Sequence, residues 1–459
     1  MNELANWSLA EVSQALQDGR ISPVEATEGY LARIEAHDPA LNSYLTVLAD
    51  AAREAAAESA ARHAAGTARG PLDGVPLAVK DLLDMAGVRT TNGMAVQREH
   101  MAHHDAAAIE LLQGAGAVIL GKLNMHEMAY GPTNDNPHYG KCHNPWNTAY
   151  TPGGSSGGSG AAVAAGLCAG ALGTDNGGSI RLPASFCGIA GLKPTWGLVS
   201  VRGMHQLSWS TVHLGPMTRG VDGLALLMQV LARHDPDCAD SVPAPRELDF
   251  TLPARPDIKG LRVGVLEHLS HEPPEPDVAR AFDEALDVLR TLGATMQPVT
   301  IEDVELARNH TFALIGGEGA HLAGHLLDDP STVLGDEVRG GLIFGRSMPA
   351  ERMARAERYR MEITHRVNRA FADVDVMVAP TAPVAPFRFG EAYPKNLITH
   401  TPLADLTRMP SLSVPMGFSD AGLPLGLMLM TPAFTDPEVL RIGKAFEQAT
   451  DWHLRRPAL

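Results

Sequence analysis

Two short stretches set serine hydroxyls among glycines. Thr151 to Gly166 reads TPGGSSGGSGAAVAAG, and Thr174 to Ile180 reads TDNGGSI. A phosphate-binding loop would need GxxxxGK[ST], and no lysine follows Gly157, Gly158 or Gly160. A dinucleotide fingerprint would need a further glycine where Ala161, Ala162 and Val163 stand. A flexible linker would continue in glycine and serine, but the first stretch feeds an apolar, alanine-rich run. The second stretch fits nucleophilic catalysis. Consecutive glycines let successive backbone N–H groups converge on one point. A serine closing such a nest can attack a carbonyl while those N–H groups hold the oxyanion. On its own, GGS reads as a tight turn that caps a helix.

Ser179 needs a base. There are 19 histidines, so a Ser-His-Asp arrangement is conceivable, yet no serine sits in a GxSxG elbow. His126-Glu127 begins like a zinc helix, but Tyr130 stands where the second histidine belongs. Lys80 offers a different solution. It ends the apolar run Leu77-Ala78-Val79. A lysine buried there loses solvation, which lowers its pKa by up to several units. The neutral amine can then draw a proton through an intermediate hydroxyl, a relay role for Ser155. Taken alone, Lys80 reads as a surface lysine with its stem laid on apolar neighbours.

These residues must be held by strands and helices, and the two alternate along the chain. Residues 8–65 read as helical, with Ser22-Pro23-Val24-Glu25 as a cap, a first-position proline and an acidic first turn. Val75–Asp84 and Ala117–Lys122 read as strands around a helix at Asp105–Gly116. Ala161–Ala171 reads as a helix of small residues that can lie close to its neighbours, and Leu172–Asn176 as a strand end. After a Pro- and Asp-rich connection at 234–257 the alternation resumes. Gly260–Glu267, Val374–Pro383, Pro410–Met416 and Pro424–Met430 read as strands. Pro276–Leu292, Ala350–Ala372 and a segment opening at Asp436-Pro437 read as helices. The expectation is an α/β fold. One large domain spans 1–459, with a mixed, mostly parallel sheet covered by helices on both faces. Within it lie an N-terminal helical segment (1–65), a catalytic core (75–220) and the surface connection (234–257).

The bulk composition narrows the partners. A formal net charge of −16 repels nucleic acid and anionic membranes. The apolar run from Ala161 is too short and glycine-rich to span a bilayer, which takes about 20 residues. The four cysteines, Cys142, Cys168, Cys187 and Cys238, show no CxxC spacing and read as free thiols. The N-terminus MNELANWSLAEVSQAL lacks the basic start and apolar core of a signal peptide. A cytoplasmic chain with no metal and no cofactor is expected.

Lys80-Asp81, GGSSGGSGAAVAAG from Gly153, and GTDNGGSIRLPASFCGIAGLKPT from Gly173 to Thr195 resemble the amidase signature family. The resemblance extends more loosely over almost the whole chain. It implies a Ser-Ser-Lys triad with Ser179 as nucleophile, Ser155 as bridging serine and Lys80 as base and later acid. It also implies a cis peptide at Gly154–Ser155 and an oxyanion hole of the N–H groups of Asn176, Gly177, Gly178 and Ser179. Ser156 would hydrogen-bond near Lys80, and Asp175 and Arg181 would brace the loop.

Two departures bear on the substrate. Val212 stands where relatives often carry aspartate, and Gly340-Gly341 where they carry an arginine pair. An amino acid's charged groups need fixed counter-charges, so these positions point to an opened, less polar pocket. Its expected lining is Met128, Tyr130, Gly131, Trp209, Gly341 and Ile343. The implied activity is hydrolysis of apolar or aryl amides and of carbamates (urethanes), with esterase side activity, by a monomer or homodimer acting on a small molecule. The alternatives are an amidotransferase A-type subunit that generates ammonia from glutamine and a non-catalytic binding protein on the same fold.

Overall fold

The apolar segments pair edge to edge into a single large sheet. In the computed structural model, which describes residues 4–459, eleven strands form it. Met1–Glu3, the start of the N-terminus read above as lacking a signal peptide, lie outside the described residues. In chain order the strands are β1 (Tyr44–Val47), β2 (Pro76–Lys80), β3 (Val118–Leu123), β4 (Gly170–Asp175), β5 (Ala190–Lys193) and β6 (His213–Thr218). They continue with β7 (Arg262–Leu266), β8 (Thr295–Val299), β9 (Val376–Pro380), β10 (Ser411–Phe418) and β11 (Pro424–Met430). Across the sheet the order is β1-β3-β2-β4-β6-β5-β10-β11-β9-β7-β8.

The sheet is mixed. β2 runs parallel to β3 and β4, and β7 parallel to β8 and β9. The strands between these two wings pair antiparallel. Strand alternation sends side chains to opposite faces, and β9 shows both faces covered. Val376 and Val378 join the larger core, whereas Met377 and Ala379 join a second one under the helices Ala307–Ala323 and Ala350–Ala370.

The N-terminal segment departs from an all-helical reading. Helices Leu9–Gln17, Pro23–Leu41 and Ala49–Ala64 are interrupted by edge strand β1. Asn42 takes a left-handed conformation (φ 52°) that ends the second helix, and the short aromatic and β-branched run Tyr44–Val47 then pairs with β3. Ser22 and Glu25 form the expected reciprocal cap.

The small-residue helix begins earlier than Ala161 and ends earlier than Ala171, running Gly157–Ala164. Its glycines permit close approach rather than flexibility. A Cβ on Gly158 would lie 2.3 Å from the backbone oxygen of Asn124. Residues 234–257 carry no helix or strand, and β7 to β11 extend the same sheet beyond them. No helix among the described residues is long and apolar enough to cross a membrane.

Candidate active site

Lys80 is the last residue of β2 and is fully buried. Its Nζ lies 2.7 Å from Ser155 Oγ, 2.9 Å from Ser156 Oγ and 2.9 Å from Thr174 Oγ1. Burial strips the amine of water and holds it well below the ordinary lysine range, with the Asp175 charge opposing only in part. The hydroxyls are not equivalent. Ser156 donates its proton to the Thr174 carbonyl and accepts from the Thr174 N–H, so toward Lys80 it can only accept. Ser156 therefore pins a lysine N–H and leaves the nitrogen lone pair for another hydroxyl. Ser155 makes the shortest of the three contacts.

Backbone geometry aims Ser155. Gly153 takes φ +79°, and the Gly154–Ser155 peptide is cis. A Cβ on Gly154 would meet Pro132 and Thr133 backbone atoms at 2.7 and 2.8 Å. The Ser155 carbonyl accepts from His126 N–H. Ser179, in the turn after β4, opens onto a cavity of about 250 Å³. Its carbonyl accepts from Ser156 N–H at 3.3 Å. Its Oγ makes no hydrogen bond to a described residue, so that hydroxyl is uncommitted.

The predicted oxyanion cradle needs one correction. Gly178 N–H donates to Asp175 Oδ1 and is spent. The N–H groups of Asn176, Gly177 and Ser179 have no acceptor among the described residues and remain for a ligand. The Asn176 side chain accepts from Thr211 Oγ1 at 3.3 Å and is held at the cavity wall.

Asp175 and Arg181 brace this turn from below. Arg181 donates through Nε to Asp175 (2.9 Å) and through Nη2 to Asp405 (2.7 Å), all three side chains being fully buried. Its Nη1 reaches the Thr401 carbonyl at 2.8 Å. Thr401 Oγ1 in turn donates to the Gly177 carbonyl. Burial raises the Asp175 carboxyl, but the Arg181 charge and hydrogen bonds outweigh it and hold the group below the usual carboxylate range. Burial and the nearby Asp175 charge push Asp405 well up. Replacing Arg181 by methionine strands the buried Asp175 carboxylate and takes a hydrogen bond from Asp405. The expected cost is about 3–5 kcal/mol of folding stability, read as a lower midpoint in urea unfolding.

Of the predicted lining, Tyr130 and Gly131 face the cavity. The other four positions are corrected. Met128 is buried in the apolar cluster behind the cavity wall, with Leu207 and Ile315, and does not itself line the cavity. Trp209 lies at the surface, edge-on to His321. Ile343 is 54% exposed on the outer side of its helix. Gly341 opens no space, because a Cβ there would fall 2.2 Å from the Tyr130 ring, which fills the gap. Val212 belongs to the main core. The lining carries Leu182, Leu207, Phe312, Ile315, Leu397 and Ile398 and, contrary to a less polar pocket, the charged Arg308, Glu337 and Lys395. These, with Thr174 and Asp405, were missed. Only Thr174 carried a sequence signal, one residue before Asp175 in the signature turn.

All four cysteines are free and buried. Among the described residues, Asp84, His100 and His205 bring ligand atoms within 4.8 Å of one another, and none of them lines the cavity.

The Amidase family model matches residues 25–440. The A subunit of the glutamyl-tRNA(Gln) amidotransferase from Methylococcus capsulatus is 38% identical, covering 98% of both chains. A solved structure described as an unexpected vestigial protein complex, bearing on the origins of an s-triazine catabolic enzyme, superposes with a TM-score of 0.92 at 34% identity. It covers 99% of this chain and 100% of its own. A bacterial aryl acylamidase superposes with a TM-score of 0.89 at 27% identity, covering 98% of this chain and 97% of its own. The expectation of a monomer or homodimer acting alone on a small molecule is overturned here, since these relatives include subunits and a member of a protein complex. A surface that receives another chain uses the same apolar residue types as a core, so sequence alone did not separate the two.

Proposed function

The chain belongs to the amidase family, and from that premise we propose that it cleaves the C–N bond of a small carboxamide through an acyl-enzyme, as the catalytic member of a multi-subunit assembly. Neutral Lys80 takes the Ser155 proton as Ser155 takes that of Ser179, and Ser179 Oγ attacks the carbonyl carbon. The N–H groups of Asn176, Gly177 and Ser179 receive the oxyanion. The proton returns through Ser155 to the leaving nitrogen. Water then releases the acid and restores Ser179. The observation that carries this reading is the 2.7 Å contact of a fully buried lysine with Ser155, beside a turn of unspent N–H groups. Such a constellation argues against a non-catalytic binding protein.

Glutamine is the first candidate substrate. The curated relatives are amidotransferase subunits, and the cavity lining carries Arg308 and Lys395 to meet an α-carboxylate. Hydrolysis of aryl amides or carbamates is a second reading. It is favoured by the apolar wall, but it leaves the charged end of the cavity unmatched. The four free thiols suit a reducing cytoplasm.

The test is ammonia release from glutamine, beside anilides, urethanes and p-nitrophenyl esters, using the chain with whatever polypeptide co-purifies with it. Glutamine turnover that disappears in Ser179→Ala supports the reading. Failure to cleave any amide, by chain or complex, contradicts it.

A further inference from the structure

We propose that Arg308, seconded by Lys395, forms a binding site for a carboxylate on the unreacted part of the substrate, so that the enzyme selects small amides that are also acids. This rests on the amide-cleaving reading above and names its substrate class.

Arg308 lies in the first turn of the helix Ala307–Ala323 and lines the cavity that Ser179 opens onto. Its Nε is shielded from solvent and donates to nothing. Its Cζ sits 5.3 Å from the Phe312 ring centroid, which steadies the guanidinium against the cavity wall. Among the described residues no carboxylate comes within 4.0 Å of it. Lys395, in an irregular segment that also lines the cavity, is likewise without an ion pair. Glu337 is the one acidic residue among the described residues of the lining, and it lies 2.7 Å from His126 Nε2. Glu272 and Glu305 line an adjoining cavity that shares Arg308 and Lys395, and neither pairs with them. Tyr130 and Tyr393 also line the site, and their hydroxyls donate to no described residue.

Two cations, two unspent phenols and one already-engaged carboxylate leave the cavity short of negative charge. A planar guanidinium matches a carboxylate by paired hydrogen bonds. The carbonyl under attack must sit at Ser179, so the acid group belongs to the other end of the substrate. A cavity of about 250 Å³ admits a molecule of a few carbons.

The experiment compares succinamate and glutaramate with the uncharged butyramide and pentanamide. The wild type should prefer the acid amides, by about 100-fold in kcat/KM. Arg308→Met should collapse that ratio by a similar factor, chiefly through KM, and Arg308→Lys should restore part of it. Calorimetric titration of succinate and glutarate into Ser179→Ala protein, with and without Arg308→Met, reads the subsite without turnover. Equal turnover of acid and neutral amides, or dicarboxylate binding that Arg308→Met leaves intact, overturns the proposal. If no amide is cleaved, the functional reading fails, while the calorimetry still decides the subsite.

Discussion

Ser179→Ala abolishes amide hydrolysis, with kcat falling by about 10⁴-fold or more, while the fold survives. The hydroxyl makes no hydrogen bond to a described residue and faces the cavity, so its removal leaves no buried group unpaired. Stability by urea unfolding should match the wild type within about 0.5 kcal/mol. The cradle of Asn176, Gly177 and Ser179 N–H groups persists, because a substitution at the side chain leaves the backbone donors in place. Residual turnover above the uncatalysed rate is therefore expected. Mass spectrometry of the wild type quenched during turnover of an activated ester should find an acyl group on the peptide containing Ser179. The variant should show none. Full activity in Ser179→Ala would remove Ser179 from the chemistry.

Lys80→Met acts on the proton rather than on the attack. Amide cleavage needs a proton delivered to a poor leaving nitrogen, whereas an activated ester expels a weakly basic oxygen unaided. The variant should lose about 10⁴-fold or more on an amide and markedly less on a p-nitrophenyl ester. Its pH profile should change as well. In the wild type the working form is the neutral amine, so kcat/KM rises with pH as Lys80 gives up its proton. Because burial holds the folded lysine well below its ordinary value, this rise is complete on the acid side of the usual lysine range. Lys80→Met should remove that limb. Equal losses on both substrates, or an unchanged profile, would show that the amine moves no proton to the leaving group.

The candidate catalytic residues were legible because local backbone demands wrote them into local sequence. Gly153 and Gly154 shape the approach to Ser155, Gly177 and Gly178 the turn before Ser179, and each sits within a few residues of its serine. Lys80 was legible from the apolar run that buries it. What escaped lay at long range. Arg308, Glu337 and Lys395 reach the cavity from segments more than a hundred residues beyond the signature, and each alone looks like a surface charge. Asp405 and Thr401 hold the turn that carries Ser179 through contacts whose sequence separations exceed 200 residues. The commitment of Gly178 N–H to Asp175 is a matter of ångströms that no spacing rule conveys. The strand β1 was lost among helices because four residues are too short a run to compete with strong helical neighbours. The glycines at 340 and 341 misled because the void beside Gly341 is filled by Tyr130, a residue two hundred positions away, and Gly340 lies exposed with open space beside it.

The central claim is that the amine beside Ser155 is uncharged at working pH. Nitrogen-15 labelling of lysine, with Lys80→Met to assign the resonance, allows the Lys80 Nζ shift to be followed against pH. The account predicts a titration well below the ordinary lysine value of 10.5, coincident with the acid limb of kcat/KM. A Lys80 resonance that stays in its ammonium position up to that value would contradict it.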